Sequence, residues 1–488
     1  MLSQLLARKT DFSNDDHAHG PGLRRTLGPW GITALGIGAV IGTGIFVVTG
    51  TAAAEHAGPA VLISFIIAAI CSGFAALCYA EFATLIPISG SSYSYAYASL
   101  GELAAWFIGW NMVAEYGISA SAVAASWTGY FTSLLDHMGL HLPKALTEAP
   151  LAFTHGELVV TGHLFNLPAV AIVMALTWLC YIGIRESSGL NALMVLVKVG
   201  LIVIVVIAGY RYVNPENWHP FIPEPQGDGR YGWSGIMRGA AMVFFAYIGF
   251  EATSTAAQEC KTPQRDLPFG ILVSLVICTV LYLAMAAVLT GLVPYTLLDT
   301  AEPVVTAVAA HPELDWLRLI VELGAMIGLS SVILVMIIAQ PRIFMIMARD
   351  GMLPKVFAKV HPRHRTPHIN TLITGSMIAL LAAVFPLDLL ANLTSMGTLI
   401  AFSAVCAGVL ILRYTLPDLP RTFRVPWVWF TCLAGVACCF ALLFSLDWFN
   451  WAILGAWTAL GFAIYFLYSR KHSVLHLAAN QPSVTKFQ

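Results

Sequence analysis

Charged residues are scarce in this sequence. Asp, Glu, Lys and Arg make up 10% of its 488 residues, against about a quarter in a soluble domain. So little charge excludes an ordinary water-soluble globular protein. The formal net charge is −1, so no basic excess is available to hold nucleic acid. Eight of the nine cysteines lie in or at the ends of apolar runs, and Cys260 stands at a helix end. That placement excludes an extracellular disulfide framework and leaves free, buried thiols. None of the fourteen histidines falls inside an apolar run, which removes a buried histidine relay. The opening MLSQLLARKTDFSNDDHAHGPGLRR has no apolar core, so the first hydrophobic run is expected to stay in the protein rather than be cleaved as a signal peptide. HExxH, GxSxG and TVGYG patterns are all missing, which argues against a metalloprotease, a serine hydrolase and a potassium-type filter. No catalytic residue, metal or cofactor is expected.

Oil is what the sequence has. Hydrophobic residues make up 58%, arranged in twelve runs of the roughly 20 residues that a bilayer core requires. The runs cover 28–54, 60–86, 101–134, 166–184, 190–212, 235–258, 267–292, 316–346, 369–386, 390–413, 427–446 and 450–468. An all-α polytopic membrane protein is expected, with a tail over 1–27, one membrane domain over 28–468 and a second tail over 469–488. With the N-terminus inside, Lys and Arg divide nineteen inside to five outside, Lys198 being left within a span. The positive-inside rule therefore puts both termini in the cytoplasm. The basic loop 347–368 reads as a topogenic inner loop. The polar segments 136–165 and 213–234 read as outer caps.

Two runs carry interruptions. The first contains GIGAVIGTGIF, with Gly36, Gly38, Gly42 and Gly44; a glycine costs a helix interior about 1 kcal/mol against alanine. The sixth contains FFAYIGFEAT, with Gly249 among aromatics. Breaks at matching places in two halves mark transporter binding sites. Runs 28–212 and 235–413 then form two repeats of opposite topology, with 427–468 peripheral. Unwound backbone at bilayer depth presents N–H groups at the start of the second half-helix, which suit a carboxylate. It also presents C=O groups at the end of the first, which suit a cation. Gly42 and Gly44 let a ligand reach the backbone, and Thr43 adds a hydroxyl. Helix packing is the plain alternative, and it explains Gly38-xxx-Gly42 better than Gly44.

Ionisable residues at bilayer depth are functional candidates by default. Lys198 lies about nine residues into span 5, about 13 Å deep at 1.5 Å per residue. A buried lysine can exchange a proton or stand as a fixed cation. Glu115, in span 3, and Glu251, after the second break, are possible pocket acids. Glu81 and Glu322 sit nearer helix ends and read as structural. Ser330 and Ser331 place hydroxyls near mid-depth in span 8, where one of them can face Lys198.

Four blocks in order resemble a known family: GIGAVIGTGIFVVTG, YAEFATLIPISGSSYSYAYASLGELAAWFIGW, FFAYIGFEATSTAAQECKTPQRDLPFGI and QPRIFMIMARDGMLPKVFAKVHPRHRTP. They look like the amino acid–polyamine–organocation transporters, and more narrowly the cationic amino acid transporter subfamily with its bacterial members. The resemblance implies a leucine-transporter-like 5+5 inverted repeat with discontinuous helices 1 and 6. It implies that the backbone of Val40, Ile41, Gly42, Thr43 and Gly44, and of Phe245, Ala246, Tyr247, Ile248 and Gly249, binds the substrate's carboxylate and amine. Lys198 matches a lysine that stands where other members bind sodium and that is tied to proton coupling, and Phe250 or Tyr247 matches a gating aromatic. Bacterial members often carry small neutral amino acids, so the subfamily name does not carry over a cationic substrate. The expected function is import of L-amino acids by proton-coupled symport across the plasma membrane, the inner membrane in a bacterium. An amino acid or amine exchanger is the alternative. The expected partners are the amino acid, protons and membrane lipids; the sequence indicates no nucleic acid and identifies no protein partner.

Overall fold

An apolar segment in hydrocarbon must satisfy its own backbone, and the helix is the single-chain solution. In the computed structural model, which describes residues 7–9, 27–86, 91–154, 157–182, 188–227, 229–362, 364 and 366–480, helix coincides with each of the twelve apolar runs. The helices are α1 (Pro29–Val40), α2 (Val61–Leu85), α3 (Ser91–Ser99), α4 (Glu102–His137), α5 (Leu167–Ile182), α6 (Ser188–Tyr210), α7 (Gly232–Val243), α8 (Pro263–Leu292), α9 (Pro303–Ala309), α10 (Asp315–Arg349), α11 (His368–Val384), α12 (Leu387–Thr415), α13 (Val428–Phe444) and α14 (Trp448–Ile464). Among the described residues, seven helical stretches are long and apolar enough to cross a membrane, and α1, α5, α11 and α13 are shorter apolar helices. Helix α4 is long but carries Asn111, Glu115 and a series of serines. Proline takes the first helical position of α1, α8 and α9, where its missing N–H costs nothing.

Helix α4 packs along α10 and α12, while α8 packs along α2 and α1. The acids read as structural are indeed bonded at helix ends. Both oxygens of Glu81 take hydrogen bonds from Arg413, at 2.9 and 2.6 Å, and Oε2 also accepts Val425 N–H at 2.8 Å. Glu322 accepts from Ser133 Oγ at 2.9 Å and Arg318 Nε at 3.1 Å.

Within the segment 136–165, read as an outer cap, β1 (Leu151–Thr154) pairs antiparallel with β2 (Glu157–Val160), Leu151 facing Val160. A hairpin satisfies its backbone locally without a buried face, which suits a polar cap. The C-terminal segment, read as a tail from 469, is docked through its described part. Ser469 Oγ donates to Met352 O at 2.7 Å, Ser473 Oγ to Glu102 Oε2 at 2.5 Å, and Val474 N to Asp350 O at 3.0 Å. The N-terminal segment touches the same corner, with Lys9 Nζ on Asp350 Oδ1 at 2.8 Å. The rest of both predicted tails lies outside the described residues.

Candidate functional site

Helix α1 stops at Val40, between the glycine pairs 36/38 and 42/44. Ile41 is still bonded back to Ile37 O at 2.9 Å, but its ψ of 106° is extended. Helix resumes as a π turn over Gly44–Val48, continuing through Thr49–Thr51 and Ala52–Ala57. The sixth run breaks in a similar way. Helix α7 tightens to a 3₁₀ turn over Phe244–Tyr247, Ile248 is extended, and Gly249 has φ +118° before the 3₁₀ segment Phe250–Glu259. That left-handed φ suits only glycine.

The two breaks touch. A Cβ on Gly44 would lie 2.3 Å from Ala246 Cα, and one on Gly249 would lie 2.8 Å from Ala39 C and O. Gly44, for which packing seemed the weaker account, is therefore a close-packing residue between the two interrupted segments. Gly42 is looser, its missing Cβ facing a Val332 methyl at 3.2 Å. Gly36 packs on Ser274 of α8.

A helix end leaves carbonyls without intrahelical donors, and here side chains take them. Lys198, 0% exposed, donates from Nζ to Gly38 O at 2.7 Å and Ile41 O at 2.9 Å. The Tyr282 hydroxyl of α8 is 2.9 Å from both Val40 O and Ala246 O. With one proton to give, it serves one carbonyl at a time and ties the two breaks together. The carbonyls expected to draw a ligand's ammonium are thus occupied at Gly38 and Ile41 by the protein's own amine. Sequence reasoning missed Tyr282. Its only signal was a tyrosine in an otherwise aliphatic stretch, a pattern with many other uses.

What remains open is the start of the second half-helix. The Thr43 hydroxyl is buried and, among the described residues, has no hydrogen-bond partner. It faces a cleft lined by the first break, by Ser119 and Val123 of α4, by Phe245 and Ile248, and by Val332 and Met336 of α10. The cleft is closed to about 10 Å³, the space of a single water, and its lining contains no charged side chain. A larger cavity of about 380 Å³ lies between Leu100, Phe107, Ile400, Phe440 and Trp451. It is nearly all apolar and meets neither break, so the small cleft is the candidate site.

Glu251, Glu115, Ser330 and Ser331 are not among the residues that line it. Glu251 Oε2 accepts Gly249 N–H at 2.9 Å and so caps the second break. Its Oε1 is buried without a partner among the described residues. Glu115 accepts from Thr398 Oγ1 at 2.7 Å. Ser330 and Ser331 donate back along α10, to Met326 O at 2.8 Å and Gly328 O at 2.9 Å. Helix α10 meets Lys198 at Gly328, whose missing Cβ would lie 3.3 Å from Lys198 Cγ. Of the aromatics, Phe245 lines the cleft. Tyr247 instead bonds Phe65 O at 3.2 Å, and Phe250 packs on Tyr79 and Phe402.

Comparison with known proteins gives the family. A family model described as "Amino acid permease" matches residues 27–467. The branched-chain amino acid permease BcaP of Bacillus subtilis (strain 168) is 46% identical over 93% of this chain and 95% of its own. The methylthioribose transporter of the same organism is 44% identical over 97% of this chain and 100% of its own. The vacuolar cationic amino acid transporter 4 of Arabidopsis thaliana is 38% identical over 81% of this chain and 64% of its own.

Proposed function

The chain belongs to the amino acid permease family, within the amino acid–polyamine–organocation superfamily, and on that footing we propose that this integral membrane transporter, which is not an enzyme, imports neutral L-amino acids with protons by alternating access. The observation that carries the reading is the buried, unpartnered Thr43 hydroxyl at a helix restart inside an uncharged cleft. The first N–H groups of that half-helix and its positive dipole end suit a carboxylate. Gly42, Thr43 and Gly44 are the proposed carboxylate site, and the stretch Phe245–Gly249 is the proposed wall opposite. A cationic side chain would find no countercharge among Val123, Ile248, Val332 and Met336, and burying it unpaired is costly. An aliphatic side chain finds apolar contacts. The branched-chain permease among the relatives agrees with that choice.

The proposed topology has twelve spans, repeats over 28–212 and 235–413 in opposite orientation, two peripheral spans, and both termini in the cytoplasm. Lys198 is the proposed coupling residue. Its ammonium supplies donors that the end of α1 lacks, so losing the proton and leaving those carbonyls would loosen the first break. Ser330 or Ser331, next to the Gly328 contact, is the proposed alternative partner for the departing amine. Glu115 and Glu251 are the proposed acids through which protons reach the site.

Uptake into proteoliposomes tests the coupling. In Lys198→Met, uptake driven by a pH gradient is expected to vanish while exchange against internal amino acid persists. Gradient-driven accumulation at the original level would end the coupling role. A second reading is an exchanger without net proton flux. It is favoured by the full burial of Lys198 and its two short bonds, which suit a permanent cation. Accumulation against an imposed pH gradient with no internal substrate separates the two.

A further inference from the structure

The fold gathers cysteines that are scattered in the sequence. Helix α2 carries Cys71 and Cys78, and α13 carries Cys432 and Cys439, with the same seven-residue spacing on each. Seven residues is about two helical turns, roughly 10 Å of rise. The helices meet antiparallel and in register: Cys71 Sγ lies 3.6 Å from Cys439 Sγ, and Cys78 Sγ lies 3.8 Å from Cys432 Sγ. Between the rungs, Gly435 leaves room for Cys406 of α12, whose Sγ would be 2.8 Å from a Cβ placed there. All five thiols are at most 1% exposed. Cysteine often serves as a small apolar filler. Filling explains one sulfur contact, but not two facing pairs held in register by matched spacing on both helices.

We propose that Cys71–Cys439 and Cys78–Cys432 form a twin dithiol modification site in which each pair takes one apolar hydroperoxide and closes into a disulfide. A disulfide requires sulfurs about 2.05 Å apart, so each pair must close by roughly 1.6–1.8 Å, within reach of side-chain rotation. One thiol of a pair attacks the peroxide oxygen, breaking the O–O bond and giving a sulfenic acid and an alcohol. The partner thiol then attacks that sulfur, forming S–S and releasing water. The two thiols lose two electrons in all, and the hydroperoxide takes them up. Complete burial selects a reagent that partitions into the membrane and excludes a charged, water-borne one. Helix α2 also carries Phe65, which packs on Tyr247 and Tyr282, and Tyr79, which packs on Phe250. Fastening α2 to α13 therefore reaches the second break, and its effect on uptake rests on the transport function proposed above.

The test treats full-length protein in proteoliposomes with cumene hydroperoxide, blocks free thiols with N-ethylmaleimide and maps peptides by mass spectrometry without reductant. Two cross-links are expected, Cys71 to Cys439 and Cys78 to Cys432. Cys439→Ser removes the first and keeps the second, and Cys438→Ser keeps both. Amino acid uptake is expected to fall about tenfold, because helix motion sets turnover, and to recover with dithiothreitol. Recovery of all four cysteines as alkylated thiols, or cross-links through Cys406 or Cys438 instead, overturns the site. Correct cross-links with undiminished uptake overturn its hold on transport. Peptide mapping needs no transport, so a chain that cross-links but carries no amino acid under any condition refutes the proposed function and leaves the thiol site standing.

Discussion

Gly42 and Gly44 flank one threonine, yet their missing side chains do different work. At Gly44 the space is filled by the backbone of Ala246, which cannot give way as a flexible side chain can. Gly44→Ala is expected to destabilise the fold by about 1–3 kcal/mol, the usual cost of overpacking. At Gly42 the obstacle is a Val332 methyl at 3.2 Å, and Gly42→Ala is expected to cost less stability and more binding. Melting curves of the detergent-solubilised protein, with and without amino acid, separate the two effects. Equal destabilisation at both positions would contradict this division. Thr43→Val removes a hydroxyl that bonds nothing else among the described residues. Its expected signature is a loss of affinity of about tenfold, or 1.4 kcal/mol, with the ligand-free melting temperature unmoved. Calorimetric titration reads the first quantity and a thermal scan the second.

Among the elements, the short helix α9 carries a pH signature. Glu302 precedes it, and burial, reinforced by the negative charges of Asp136 and Glu322 against the opposing pull of Arg318, raises its carboxyl to about 7. A carboxyl raised on folding is held more tightly as a neutral acid by the folded state than by the unfolded chain. Its favourable contribution is therefore complete below the unfolded value of about 4.3. It is lost progressively as pH rises to about 7. Glu302→Gln is expected to melt higher than the parent at pH 8, with the gap closing towards pH 4. Melting curves across that range check the sign, and a gap that widens on acidification would contradict it. The longer helices follow simpler rules: apolar length sets their extent, while the interruptions at Gly42 and Gly249 divide the two that build the candidate site.

For the whole molecule, the Glu81 carboxylate is a junction. It joins α2 to α12 through Arg413 and to the chain before α13 through Val425 N–H, with Arg421 Nε 3.2 Å away. Removing one partner of a buried ion pair leaves an uncompensated charge, at about 3–5 kcal/mol. Glu81→Gln is therefore expected to lose most of its monodisperse yield on size exclusion, with the survivors melting well below the parent. Near-parental yield and melting would show that the junction is dispensable.

Much of this architecture was legible locally. Twelve apolar runs and two glycine interruptions could be read because transfer from water to hydrocarbon is nearly additive along the chain, and a helix satisfies its backbone within one segment. The placement of Lys198 within an apolar helix followed from its position in the fifth run. The hairpin at Leu151–Val160 was not legible, because a polar segment outside the apolar runs gives no burial pattern to read. Nor could the sequence tell that Tyr282 bridges the breaks, that Phe245 rather than Tyr247 or Phe250 meets the cleft, or that Cys71 faces Cys439.

By itself, then, the sequence determined the membrane class, the placement of the helices and where two of them give way, since these depend on composition and spacing along one strand. Only the tertiary structure decided which donors take the freed carbonyls, and which of the four glycines are spaces for neighbouring helices. Those outcomes depend on how far each helix is rotated about its axis. In a bilayer, where lipid is as apolar as leucine, that rotation is set by close packing against every neighbour at once.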